Sequence, residues 1–334
     1  MRGQAGVRQK GLVKHMLHSL NLVNNNSLLA FCGILFAFLA TVIATAKLSQ
    51  YLPKDAGREF AHDGKLSAGK PRGAGIIFVL AFVVAALLFV PIHPEFVIYL
   101  ILIVISMMTG FLDDASKTPW GEYKKGFLDL CVAALVALTF LKYNSNVVEL
   151  ALFDVKFVLH PVVFAILTII LVWTSVNVTN CTDGVDGLSG TLTIITIMTI
   201  YAVGQVKGKM EFGFLILLFA VCILGYLWYN ATPSKLMMGD AGSRAMGLFI
   251  SIAILKTGCP FLYIPVALVM ILDGGLGLLK VALLRFLKIH ILKNVRTPLH
   301  DHVRKVWDWS NTQTVFRFAI IQIILAVAVV YGIQ

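Results

Sequence analysis

The chain has 334 residues, of which 58% are hydrophobic and only 13% charged, and its mean hydropathy is +0.86. Soluble domains carry charge on about a quarter of their residues, so a water-soluble enzyme is excluded and a polytopic membrane protein is implied. The net charge of +11 lies in loops between apolar runs, where it sets orientation and attracts phosphate-bearing substrates or lipid headgroups; it does not call for nucleic acid.

In chain order, residues 1–27 form a basic, polar N-terminal surface segment ending in Asn24-Asn25-Asn26. The apolar run that follows is long and lacks a small-residue cleavage site, so it reads as a retained first span. Residues 9–20 suit a short amphipathic surface helix or a disordered tail. Residues 28–334 read as a single all-α transmembrane domain of about ten helices. The expected spans are 28–50, 74–92, 95–112, 126–142, 158–177, 187–204, 212–229, 243–258, 261–287 and 314–332. The ninth is long and carries Asp273 at mid-length, which suits a tilt, a bend or a stretch outside the lipid, and the Gly274-Gly275 pair just after it is a candidate kink. The five cysteines, Cys32, Cys131, Cys181, Cys222 and Cys259, lack metal-type spacing and read as small buried hydrophobes.

The loops after odd-numbered spans hold most of the Lys and Arg, including Lys65, Lys70, Arg72, Lys117, Lys124 and Lys125. The positive-inside bias therefore puts these loops in the cytoplasm. The basic N-terminal tail, with Arg2, Arg8, Lys10 and Lys14, opposes that orientation.

Every conspicuous polar group falls in an odd loop. The third begins with Asp113-Asp114. The fifth is Asn177 to Ser189, NVTNCTDGVDGLS, and the seventh is Asn230 to Ser243, NATPSKLMMGDAGS. The ninth holds His300-Asp301-His302. Independent solvated loops would fall on both faces, so this one-sidedness argues for one cytoplasmic-face active site. Asp113, Asp114, Asp183, Asp186 and Asp240 offer hard oxygens suited to Mg²⁺, and the bases neutralise phosphate, as phosphoryl transfer requires. No GxxxxGK[ST] or GxGxxG is present. Taken singly, each feature has a plainer reading. The fifth loop suits a solvated turn, Asp113-Asp114 a helix end, His-x-His a loop or a zinc site, Lys70 and Arg72 topology signals, and Asp273 a bundle contact.

Together the motifs resemble those of the polyprenyl-phosphate N-acetylhexosamine-1-phosphate transferases, most closely the branch that handles UDP-MurNAc-pentapeptide. Phe111-Leu112-Asp113-Asp114 matches an FxDD motif, Asn177 through Leu188 matches NxxNxTDGxDGL, and Asn230 through Ser243 matches NxxPxxxxMGDxGS. The chain departs from the pattern at Gly69–Gly75, Asp129, Met237, which stands at a uracil-stacking position, and Asp301, within a motif usually His-His-His.

The resemblance implies a Mg²⁺-dependent transferase. The phosphate of undecaprenyl phosphate attacks the sugar-bearing phosphorus of a UDP-linked amino sugar, releasing UMP and leaving lipid I. It makes Asp240 the metal ligand and Asp113 the base, or less readily a covalent nucleophile, with Asp114 in support. Lys70, Lys117 and Lys125 would hold phosphates. Asn177, Asn180, Asp183, Asp186, Asn230 and Met237 would hold nucleoside or sugar, and His300 and His302 the diphosphate or sugar substituent. A homodimer is compatible with such a bundle. The alternatives are a UDP-GlcNAc:polyprenyl-phosphate transferase, an ion-coupled transporter using Asp273, a lipid-binding scaffold and a CDP-alcohol-type phosphotransferase.

Overall fold

The apolar runs fold into helices that pass back and forth through one bundle. The computed structural model describes residues 26–55, 57, 67–116, 118 and 120–334, so residues 1–25, Lys65 and Lys117 lie outside the described residues. The helices are α1 (Asn26–Leu48), α2 (Gly75–Phe89), α3 (Pro94–Asp114), α4 (Glu122–Tyr143), α5 (Pro161–Thr182), α6 (Leu188–Val206), α7 (Gly213–Asn230) and α8 (Gly239–Lys256). They continue as the bent pair α9 (Pro260–Val266) and α10 (Leu268–Leu287), then α11 (Leu299–Val306) and α12 (Asn311–Gly332). Local chemistry sets several starts. Pro94 and Pro161 open α3 and α5, where a missing N–H costs nothing. Ser310 and Gln313 form a capping box on α12.

Among the described residues seven helices, α1, α3, α4, α5, α6, α7 and α12, are long and apolar enough to cross a membrane, and the bent pair makes an eighth. The expected second and eighth spans are present as α2 and α8. However, α2 has only 15 residues, and α8 carries Asp240, Arg244 and Lys256 among its 18. An all-α reading missed one small feature. Residues Val147–Leu150 (β1) and Val155–Val158 (β2) pair as an antiparallel hairpin between α4 and α5. The cysteine reading also needs correction. Cys222 and Cys259 are buried, but Cys32 and Cys131 are exposed, on apolar outer faces suited to lipid.

Helix α8 is the axis of the bundle. Every residue in it except Asp240 is buried, and it packs against α2, α3, α5 and α6. Small residues let the backbones approach. A Cβ on Gly75 would meet Gly242 N at 2.0 Å, and one on Gly110 would meet Asp240 O at 2.3 Å. At its far end Lys256 Nζ is pinned by Glu95 (3.1 Å to both oxygens) and Asn144 (2.7 Å). That buried cluster offsets the cost of carrying a charge into the bundle.

The ninth expected span bends by 70°, but between Val266 and Leu268 rather than at Gly274-Gly275. The freed backbone groups are met inside the bundle, as an apolar surrounding demands. Gln322 of α12 donates to Val266 O (2.6 Å) and accepts from Val269 N (3.1 Å), while Thr196 Oγ1 donates to Val266 O (3.1 Å). The glycine pair serves close packing instead: a Cβ on Gly274 would meet Val178 O of α5 at 2.5 Å.

Candidate active site

Because successive helices alternate in direction, the ends carrying Asp114, Glu122, Thr182, Leu188, Asn230 and Gly239 meet at one end of the bundle. Backbone hydrogen bonds join the loops there. Arg72 N donates to Pro53 O (2.8 Å), and Asp55 N donates to Lys70 O (2.9 Å). The same loop then joins the start of α8. Met237 N donates to Pro71 O (2.8 Å), Ala74 N to Met237 O (3.0 Å) and Gly75 N to Met238 O (3.0 Å). Residues 53–55, 69–75 and 237–239 thus lie side by side, and Gly239, at φ +66°, turns the chain into α8.

Asp240 stands at the meeting point. Its Oδ1 is 3.9 Å from Arg72 Nη2 and its Oδ2 is 3.5 Å from Lys125 Nζ. Lys125 also pairs with Asp113, whose Oδ1 accepts from Trp120 N at 2.7 Å. Asp114 accepts from Arg72 Nε (2.9 Å) and from Ala241 N (3.3 Å). Burial works to lower the Arg72 pKa, but the charges of Asp114 and Asp240 and the hydrogen bonds to Asp55 and Asp114 outweigh it and hold it above its ordinary value. Burial likewise pushes the Asp55 carboxyl up, and hydrogen bonds from Ser67 and Arg72, with the Arg72 charge, hold it below its usual range.

A cavity of about 470 Å³ opens on one side of Asp240. Lys70, Arg72, Asn180, Asp183, Asp186, Asn230 and Met237 all line it, as expected of groups that hold one ligand. Lys70 Nζ donates to Ser234 Oγ (3.0 Å) and lies 4.0 Å from Asp186. Asn180 donates to Ser243 Oγ (2.9 Å). Asn230 is buried and ties loop to loop, accepting from Gly187 N (2.8 Å) and donating to Leu236 O (2.8 Å). Asp113, Asp114 and Lys125 are not in the cavity wall; they sit on the α3–α4 side of Asp240. Asn177 is also outside the wall, donating to Trp173 O (2.8 Å).

The two histidines separate. His300 is buried, and both its backbone N (2.7 Å) and its Nδ1 (2.8 Å) are held by Asp273. Its Nε2 faces Gly184, where a Cβ would stand 2.2 Å away. His302 lies apart from the cavity wall, accepting from Arg296 N (3.3 Å), with its ring 5.7 Å from that of Trp307. Arg304 closes this side, donating to Asp301 (2.7 Å), to Asn311 (3.0 Å) and to Gly184 O (3.4 Å). Asp55, Asp273, Arg304 and Asn311 are structural partners that sequence reasoning missed or read otherwise. A lone acid in the middle of an apolar run was the available signal for Asp273.

The oxygens at and beside Asp240 are carboxylate oxygens, hard ligands of the kind a hard divalent ion takes. Among the described residues no three His, Cys, Asp or Glu side chains converge on a ready cage. Mg²⁺ takes one or two carboxylates plus waters and substrate phosphates, and the carboxylate of Asp240 beside the cavity is a ligand of that kind.

One further pair stiffens the site. A helical turn beyond Lys125 and Asp240, Asp129 and Arg244 form a buried ion pair, so α4 and α8 present opposite charges in two successive layers. Replacing Asp129 alone by leucine leaves a guanidinium buried and unpaired and is expected to cost about 3–5 kcal/mol. Replacing both residues by leucine is expected to recover most of that. Thermal melting of the two single variants and the double variant in detergent checks this; additive losses would show that the pair is not coupled.

A family model described as "Glycosyl transferase family 4" matches residues 96–258. The phospho-N-acetylmuramoyl-pentapeptide-transferase of Treponema pallidum is 38% identical, over 92% of this chain and 90% of the relative. Proteins of the same name from a Nitratiruptor species and from Bartonella quintana are each 26% identical. They cover 93% and 88% of this chain and 95% and 88% of their own. A phosphate-ready site among apolar helices, with these relatives, defines a phospho-sugar transferase of multi-pass membrane type. The chain belongs to the phospho-N-acetylmuramoyl-pentapeptide-transferases, within glycosyl transferase family 4.

Proposed function

We propose that the protein transfers phospho-MurNAc-pentapeptide from UDP-MurNAc-pentapeptide to undecaprenyl phosphate, giving lipid I and UMP in peptidoglycan biosynthesis. The observation that carries this reading is Asp240, which joins a polar cavity on one side to the Asp113–Lys125 pair on the other. In this reading residues 28–334 are one catalytic domain crossing the plasma membrane ten times, with the site facing the cytoplasm.

The nucleotide occupies the cavity. Asn180, Asp183, Asp186 and Met237 hold nucleoside and sugar, while Lys70 and Arg72 meet the diphosphate. Asn230 lines the cavity and fixes its loops, Asn177, His300 and His302 support the pocket from behind its walls, and Lys117 belongs with the phosphate-binding lysines. Asp240 would hold Mg²⁺, which supplies charge neutralisation at the diphosphate. Asp113 takes the proton from the lipid phosphate. A phosphate oxygen then forms a bond to the sugar-bearing phosphorus, and the bond from that phosphorus to the UMP oxygen breaks. Lys125 pairs with Asp113 and holds it beside Asp240. The lipid tail suits an apolar groove of about 430 Å³ beside the bend, lined by Val148, Phe164, Leu167, Tyr263 and Ile264 among others.

The test is UMP release by purified protein in detergent with undecaprenyl phosphate and Mg²⁺. Release is expected with UDP-MurNAc-pentapeptide and not with UDP-GlcNAc. Release with UDP-GlcNAc alone would move the substrate to the other branch, and no release with either would end the enzymatic reading.

A further inference from the structure

Arg72 comes from a loop, yet its guanidinium stands among three carboxylates. Two of them hold it by hydrogen bonds. Nε and Nη2 each lie 2.9 Å from Asp114 Oδ1, and Nη1 lies 3.1 Å from Asp55 Oδ1. Asp55 is itself fixed by Ser67 Oγ (2.7 Å) and Gly57 N (3.2 Å). The third carboxylate, Asp240, is 3.9 Å away, beyond hydrogen-bond reach. Arg72 therefore acts on Asp240 through space, opposite Lys125, and its side chain, 17% exposed, also faces the cavity.

We propose that Arg72 is an internal counter-cation for Asp240, one that disfavours a divalent ion there until a nucleoside diphosphate enters and takes up the guanidinium's charge. The proposal rests on Asp240 being the metal ligand. A divalent ion about 6 Å from a unit positive charge loses about tenfold in affinity even at the dielectric constant of water, and more in a part-buried site. A diphosphate is a strong partner for a guanidinium, because the planar fork donates two parallel hydrogen bonds to phosphate oxygens. Nucleotide and metal then strengthen each other's binding, and that coupling is reciprocal. The loop bonds to Pro53 and Met237 keep Arg72 beside the cavity throughout.

The experiment is Mn²⁺ binding to the purified full-length protein, read by electron paramagnetic resonance, without and with UDP. Wild type is expected to bind Mn²⁺ weakly alone and more tightly with UDP. Arg72→Gln is expected to bind Mn²⁺ alone about tenfold more tightly and to gain less from UDP. Arg72→Lys keeps the charge and is expected to stay near wild type. Equal Mn²⁺ affinity in wild type and Arg72→Gln, or an equal gain from UDP, overturns the proposal. Should Arg72→Gln fail to fold, the wild-type titrations decide alone: Mn²⁺ binding indifferent to UDP overturns it. Asp240→Asn separates the two readings. If that variant still binds Mn²⁺ as wild type does, the metal assignment itself falls and the proposal goes with it.

Discussion

Asp113→Asn is expected to cut UMP release by about 10²–10⁴-fold, the range set by loss of a general base, while the protein melts as wild type does. The fold should tolerate the change because asparagine keeps the Oδ1 that accepts from Trp120 N at 2.7 Å. What it loses is the charge opposite Lys125 and the capacity to take a proton. Asp114→Asn is expected to behave differently. Asp114 sits under Arg72 and accepts from Ala241 N, so neutralising it loosens the loop and the start of α8 together. Its loss of activity should come with a lower melting temperature. Turnover in Asp113→Asn within a few-fold of wild type would remove the base from Asp113. A melting loss as large as that of Asp114→Asn would instead make Asp113 a structural residue.

The helices themselves were mostly legible, because apolar runs of spanning length in a charged-residue-poor chain have few other uses. Their ends were not. The fifth span was expected to stop at residue 177, yet α5 runs to Thr182. Asn177 and Asn180 face polar partners in the bundle, which a hydropathy reading takes for loop. The eighth was expected to begin at residue 243, yet Gly239 already turns the chain into α8. The clustering of polar loops at one end was read correctly, since alternating spans leave only two ends to choose from. The partners inside the cluster were out of reach. Arg72 meets a carboxylate 42 residues away and Asp273 meets a histidine 27 residues away, and neither spacing has a local signature. His300 and His302 look alike in sequence. A single helical turn puts one under Asp273 and Gly184 and the other beside Trp307.

Gly110→Ala is expected to damage both stability and activity although it removes no side chain. Gly110 lies on α3 one turn before Asp113 and Asp114. A Cβ there would stand 2.3 Å from Asp240 O, 2.4 Å from Asp240 C and 2.6 Å from Ala241 N. These are backbone atoms of a helix buried on all sides, so no side chain can swing away. The methyl must push the start of α8 off α3, costing about 1–3 kcal/mol from overpacking. The same shift lengthens the 3.3 Å bond from Ala241 N to Asp114 and moves Asp240 away from Lys125 and Arg72. A displacement near 1 Å between reacting groups costs about 10²-fold in rate, so activity should fall further than the melting temperature alone explains. Gly126→Ala is the matched control. Gly126 lies in α4 next to Lys125, and a Cβ there has nothing within 4 Å. Alanine should raise helix stability by a few tenths to about 1 kcal/mol and leave turnover unchanged. If Gly110→Ala instead melted and turned over like wild type, α8 would have freedom to slide along α3. The position of Asp240 would then depend on its loop contacts with residues 71–75 rather than on helix packing.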